Sequence, residues 1–184
     1  MTETPVFDTR TTPFPAGLMF AALAMAFVLA PGAHADAAEL GASFSQGRSR
    51  LSIVGGNGYA FNESYFVLGL GASYFVANGL SVGLDVDWWT GGDPGMVKVS
   101  PSVQYVFRDL PSMAPYIGGF YRRSYVQDID DISSAGGRAG VYIAAGRNTY
   151  FGLGMVYESY FDCSESTYSS CSDTYPEVSF SVAF

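Results

Sequence analysis

From Leu80 to Trp88 the chain alternates without a break: Leu80, Val82, Leu84, Val86 and Trp88 are apolar, and Ser81, Gly83, Asp85 and Asp87 stand between them. A period of two is the repeat of a β-strand, whose successive side chains point to opposite faces. The same alternation returns in Ser64 to Val76, with Phe66, Leu68, Leu70, Ala72, Tyr74 and Val76 opposed to Gly69, Gly71 and Ser73. It returns in Val97 to Arg108, where Lys98, Ser100, Ser102, Gln104 and Arg108 oppose Val97, Val99, Pro101, Val103, Tyr105 and Phe107, with Val106 the exception. Ala114 to Tyr125, Ser134 to Gly146 and Tyr150 to Phe161 follow, and the last segment sets Val178, Phe180, Val182 and Phe184 against Glu177, Ser179, Ser181 and Ala183. A first strand is expected near Gly47 to Gly56, with Leu40 to Phe44 as a possible extension through a bulge.

Eight strands result, and their connections fall into two groups. Ala77 to Gly79, Asp109 to Met113 and Arg147 to Thr149 are short turns, whereas Asn57 to Glu63, Gly91 to Gly95, Val126 to Ser133 and Asp162 to Thr174 are mostly longer and more acidic. Short turns alternating with longer loops predict an all-β fold, an eight-stranded antiparallel up-and-down transmembrane β-barrel with its termini and turns on the periplasmic side.

A soluble barrel would alternate too, so the sign of the alternation has to decide which face is inside. Soluble barrels bury the apolar face. Here the other face gathers nearly all the in-strand charges of a chain that is only 14% charged, among them Asp85, Asp87, Lys98, Arg122, Arg138, Glu158 and Glu177. Glycines and serines beside them leave room for these side chains in a narrow lumen, where Arg122 or Arg138 is expected to pair with Glu158 or Asp85. With the apolar face outward the barrel meets lipid, and closure removes the sheet edges that a bilayer cannot hydrate. Arg123 falls on the outer parity, but near a loop, where a cation costs about 0 to 1 kcal/mol rather than about 2 to 4 at mid-bilayer. Tyr74, Trp88, Trp89, Tyr105, Phe107, Tyr125 and Phe161, near strand ends, are expected to form aromatic girdles.

The N-terminal segment has a different character. Leu18 to Leu29 is an apolar run ended by Pro31 and Gly32 and followed by Ala33-His34-Ala35, the layout of a signal peptide cleaved after Ala35. Glu3 and Asp8 against Arg10 make its leading region less basic than usual. Residues 1–35 are therefore expected to be a signal peptide and residues 36–184 one barrel domain. An exported chain favours a bridge between Cys163 and Cys171, worth about 2 to 3 kcal/mol on the chain-entropy view. It would present Glu165, Thr167 and Tyr168 to a partner or protect the loop from proteolysis. A net charge of −8 argues against nucleic acid, whose phosphates it would repel.

The closing segment TYPEVSFSVAF, residues 174–184, with Val178, Phe180, Val182 and terminal Phe184, resembles the C-terminal assembly signal of outer-membrane barrels. In layout and last strand, residues 36–184 resemble the small outer-membrane β-barrel superfamily that includes OmpA-like and OmpX-like domains. The resemblance implies location in the outer membrane of a Gram-negative bacterium, contact with its lipid and lipopolysaccharide, and handling by the outer-membrane assembly machinery. No enzymatic role is expected: the one histidine, His34, lies in the leader, and no nucleophile–base pair stands out among the loop serines. No cofactor is expected. The acidic run Gln127 to Asp131 lacks the glycine and distant glutamate of a calcium loop and reads as solvated surface, so no metal is expected. The lumen charges fit either a closed, salt-bridged plug or a narrow channel for ions or very small solutes. The first makes the protein a barrel that anchors surface loops, with an envelope or surface-interaction role.

Overall fold

The computed structural model describes residues 41–60, 63–110, 113–127, 130–161, 163 and 171–184. The expected leader and its cleavage site, Asp128 of the acidic run, and Glu165, Thr167 and Tyr168 lie outside the described residues. Eight strands form: β1 (Ser49–Ala60), β2 (Glu63–Ala77), β3 (Leu80–Thr90), β4 (Met96–Val106), β5 (Met113–Val126), β6 (Ile132–Gly146), β7 (Thr149–Tyr160) and β8 (Ser172–Ala183). Each pairs antiparallel with its sequence neighbour, and β1 pairs with β8 to close the barrel.

The two ends differ as the connections imply. At the turn end, Gly79 (φ 81°) and Asn148 (φ 59°) adopt left-handed backbone, which glycine takes without strain and asparagine more readily than most residues. Register shifts at Phe75/Ala77 and Ala144/Gly146 sit beside these turns. Three arginines, Arg48, Arg108 and Arg147, belong to this end, whereas Glu63, Asp93, Asp130, Asp131 and Asp173 belong to the loop end. There Cys163 and Cys171 form the expected disulfide, with Cα atoms 5.6 Å apart.

The outer face is the apolar one. Leu51, Ile53, Leu68, Leu70, Leu84, Val103, Ile117, Ile143, Leu153 and Met155 are exposed on it, and so are Val178, Phe180, Val182 and Phe184. Tyr74, Trp88, Tyr105, Phe107, Tyr125 and Phe161 also face outward. Trp89 does not: it is 8% exposed against 39% for Trp88. It has the opposite parity and points into the barrel, which removes it from the expected girdle. A side chain at Gly58 would collide with its ring, so the glycine makes room for the indole.

The chain before β1 also differs from the expectation. Residues 41–43 form a helical turn rather than an extension of the strand, and β1 starts at Ser49. Phe44 follows this turn and is fully buried. Its ring packs against Phe75, Tyr142 and Tyr150 at centroid distances of 5.8, 5.6 and 4.9 Å. With Val106, Ala114, Tyr116 and Ala183 these rings form an apolar cluster inside the turn end. Val106, which breaks the polar parity of its strand, belongs there. A second inner cluster, Tyr65, Trp89, Met96 and Val126, lies toward the loop end. The charged groups occupy the lumen between the two.

Candidate functional site: the barrel lumen

Inward parity places one side chain in every second position, so a long charged residue on one strand reaches partners on several others. Arg122 on β5 is the centre of the upper network. Its Nη1 donates to Glu158 Oε2 at 2.6 Å and to the Tyr175 hydroxyl at 2.7 Å, and its Nε donates to Ser100 Oγ at 2.8 Å. Its Nη2 lies 3.6 Å from Asp87 Oδ2. Glu158 also accepts from Ser134 Oγ at 2.5 Å and from the Tyr175 hydroxyl at 2.9 Å. One guanidinium thus ties together β3, β4, β5, β7 and β8, and the carboxylate it holds adds β6. Glu158 is fully buried and the Arg122 side chain is 4% exposed. At that depth each charge depends on its partners, because an unpaired ion in the interior is costly.

Arg138 forms a second knot, with Nη2 3.4 Å from Asp85 Oδ2 and Nη1 3.6 Å from Glu177 Oε2. The ring of Phe120 lies between the two knots, 4.6 Å from the Arg122 guanidinium carbon and 5.2 Å from that of Arg138. An aromatic face adds cation–π attraction without competing for hydrogen bonds. Lys98 is buried with Nζ 3.7 Å from the centroid of Trp89. All seven charged residues expected in the lumen therefore face it. Among them the close ion pairs are Arg122 with Glu158 and Asp87, and Arg138 with Asp85 and Glu177.

Sequence parity missed a lower polar layer. Arg50 on β1 donates to Ser73 Oγ at 2.9 Å, the Tyr142 hydroxyl at 2.7 Å and Gln104 Oε1 at 2.8 Å. Gln104 Nε2 donates to the Tyr142 hydroxyl at 2.9 Å. The signal for Arg50 was present in Leu51 and Ile53, whose outward parity turns Arg50 inward within the first strand expected at Gly47 to Gly56. Tyr175 was hidden for another reason, since a tyrosine reads as a girdle residue until its hydroxyl finds a buried charge.

Below Arg50 the lumen is stopped. The Phe44 carbonyl accepts from Gly79 N at 2.8 Å, Gly47 N donates to the Phe75 carbonyl at 2.9 Å, and Gln46 N donates to Asn78 Oδ1 at 3.0 Å. Arg108 Nη1 reaches Ser45 Oγ at 3.2 Å. The stopper is therefore pinned by backbone as well as by rings. Above the networks a cavity of about 360 Å³ remains, bounded by Val54, Gly56, Asp87, Trp89, Asp173 and Glu177 among others. Among the described residues no group of three carboxylates, histidines or cysteines is placed to hold a metal ion.

Compared with solved structures, the chain is similar to the N-terminal β-barrel domain of Pseudomonas aeruginosa OprF, with a TM-score of 0.60 at 12% identity over 76% of this chain and 98% of that one. It is also similar to Neisserial surface protein A, with a TM-score of 0.52 at 17% identity over 74% of this chain and 94% of that one. At such identities the likeness shows the fold alone, a small closed β-barrel. No protein-family model and no curated protein sequence matches the chain.

Proposed function

We propose that this chain is a non-enzymatic outer-membrane protein whose closed barrel anchors four loops at the cell surface. In this reading residues 1–35 direct export, both termini are periplasmic, and the apolar outer face contacts lipid and lipopolysaccharide. The assembly machinery reads the strand ending in Phe184. The role of the protein is then exerted at its loops, in envelope integrity or surface interaction.

The observation that carries the closed reading is the stopper. Phe44 fills the turn end within a ring of aromatic side chains, and the charged knots above it cross the lumen from strand to strand. An eight-stranded barrel has an interior that side chains can fill, and here they do so at two levels. Reconstitution in planar bilayers tests this: no reproducible conductance is expected, and stable single-channel steps would overturn it. The cavity above the knots favours a second reading, a narrow channel for ions or very small solutes, which requires the stopper to leave. Conductance that appears only in Phe44→Ala would assign the block to that ring.

A further inference from the structure

The seam that closes the barrel stops short of the loops. Residues 50–55 of β1 pair with residues 178–183 of β8, yet β1 runs on against β2 to Ala60 and β8 begins against β7 at Ser172. Residues 56–60 and 172–177 are therefore paired on one side only.

One residue sets the place of the break. Ser49 and Phe184 exchange both main-chain hydrogen bonds, and in an antiparallel ladder such exchanges recur at every second pair. Along the register they fall at Leu51 with Val182, Ile53 with Phe180 and Gly55 with Val178. The next would join Asn57 to Pro176, and proline has no N–H to give. The same alternation turns the nitrogen of Pro176 away from β7, so it interrupts the seam and leaves the β7–β8 ladder whole.

Space is left on both sides of the break. Gly55 has outward parity and Gly56 inward parity, and a Cβ on either would meet no atom within 4 Å. The lumen cavity reaches through it: Gly55, Thr174 and Pro176, all of outward parity, line that cavity together with the inward Val54, Gly56 and Val67.

The surroundings decide what fills the opening. On the outer face it is flanked by exposed Ile53, Leu68, Met155 and Val178. Phe66, opposite Asn57, and Tyr157, opposite Thr174, are exposed aromatic residues at the same level, the place of a girdle between lipid chains and headgroups. Inside, residues 52–58 of β1 and 65–73 of β2 carry no charge at any inward position. The charges that line the cavity stand on β3, β5, β6 and β8. They give the main-chain groups freed from the ladder a hydrated side, which such groups require at membrane depth.

We infer that the loop-end part of the β1–β8 seam is a lateral portal, through which an acyl chain of a lipid in the surrounding leaflet lodges along the uncharged wall of β1 and β2. This rests on the barrel standing in a bilayer, and goes beyond the loop-anchoring role.

The test is to fold the protein into phosphatidylcholine nanodiscs in which part of the lipid carries a diazirine in one acyl chain, irradiate, and locate the adducts by mass spectrometry. Leu68 and Met155 should be labelled from outside and Val54 and Val67 from inside, with Tyr116, an inward residue of the turn-end cluster, as background. Pro176→Val restores the missing donor. In it, labelling of Val54 and Val67 should fall to the Tyr116 level, and the Asn57 amide should gain protection from deuterium exchange. A second closure is reversible: Gly56→Cys/Glu177→Cys, at the next pair of the register, in the Cys163→Ser/Cys171→Ser background. Inner labelling should vanish in the oxidised protein and return on reduction, while Leu68 stays labelled in both. Inner labelling that is absent from the parent, or unchanged by both closures, overturns the portal. Failure of the membrane reading would look different, since Leu68 and Met155 would then be unlabelled too and the protein would migrate identically before and after boiling.

Discussion

Glu158 and Arg122 show what a single position can carry in this barrel. Removing Arg122 would leave a fully buried carboxylate with Ser134, Tyr175 and no adjacent guanidinium. Arg122→Ala is expected to lower unfolding stability in detergent by about 3 to 5 kcal/mol, the cost typical of breaking a buried pair. Arg122→Ala/Glu158→Ala should lose far less than the two single losses added together, because it removes the stranded charge as well. Urea titration of the four proteins measures this, and additivity of the single losses would mean the pair is not coupled. The lumen residues were readable from parity because a charge in a strand that is apolar on its other face has one place to go. Their partners were readable only as alternatives: Glu158 and Asp85 were the expected candidates and are used, but giving Glu158 to Arg122 and Asp85 to Arg138, and adding Asp87 and Glu177, depends on strand stagger. Trp89 marks the limit of an aromatic signal: Trp88 and Trp89 are the same residue type, and parity alone separates the outer face from the lumen.

At the scale of strands and their connections, the outer face of β2 offers a depth test. Leu70 lies well within the strand and Phe66 nearer its loop end, both exposed on the apolar face. In a bilayer Leu70→Arg should cost about 2 to 4 kcal/mol and Phe66→Arg about 0 to 1. Equal costs for the two in lipid-based unfolding would argue against a membrane centred on that face. The segment before β1 gives a second test. Phe44→Ala should destabilise by about 3 to 5 kcal/mol, the range for removing a buried aromatic ring, whereas truncating a disordered lead-in would cost nothing. The strands were legible because alternation and turn residues agree over long stretches. The stopper was not, because Gly41 to Gly47 has neither helical nor strand periodicity. What places it is the empty aromatic mouth of the barrel, which exists only after all eight strands have closed.

For the molecule as a whole, a closed sheet should resist detergent until it is heated. Unboiled and boiled samples are therefore expected to migrate differently on a denaturing gel, and identical migration would count against the barrel. The bridge between Cys163 and Cys171 belongs to the loop end, at the edge of the β7–β8 ladder, where Tyr160 N donates to the Cys171 carbonyl at 3.0 Å. Cys163→Ser/Cys171→Ser should leave that heat-dependent shift intact while speeding proteolysis between the two positions; loss of the shift would make the bridge part of the barrel's own stability.

The β1–β8 seam has a further consequence, for the order in which the sheet forms. Every other strand pair joins neighbours in the chain, but this one joins its two ends, and it does so only from Ser49, which exchanges both backbone hydrogen bonds with Phe184, to Gly55. The entropy of closing a loop rises with its length, by about 0.6 kcal/mol per doubling, so the longest closure is rewarded by a short ladder. Such a barrel should behave as a curled ribbon with a clasp: the clasp fastens last, after the ribbon has its curvature, and it is the first part to spring open. Backbone amides of β1 bonded toward β8 should accordingly exchange with solvent deuterium sooner than those of the same strand bonded toward β2.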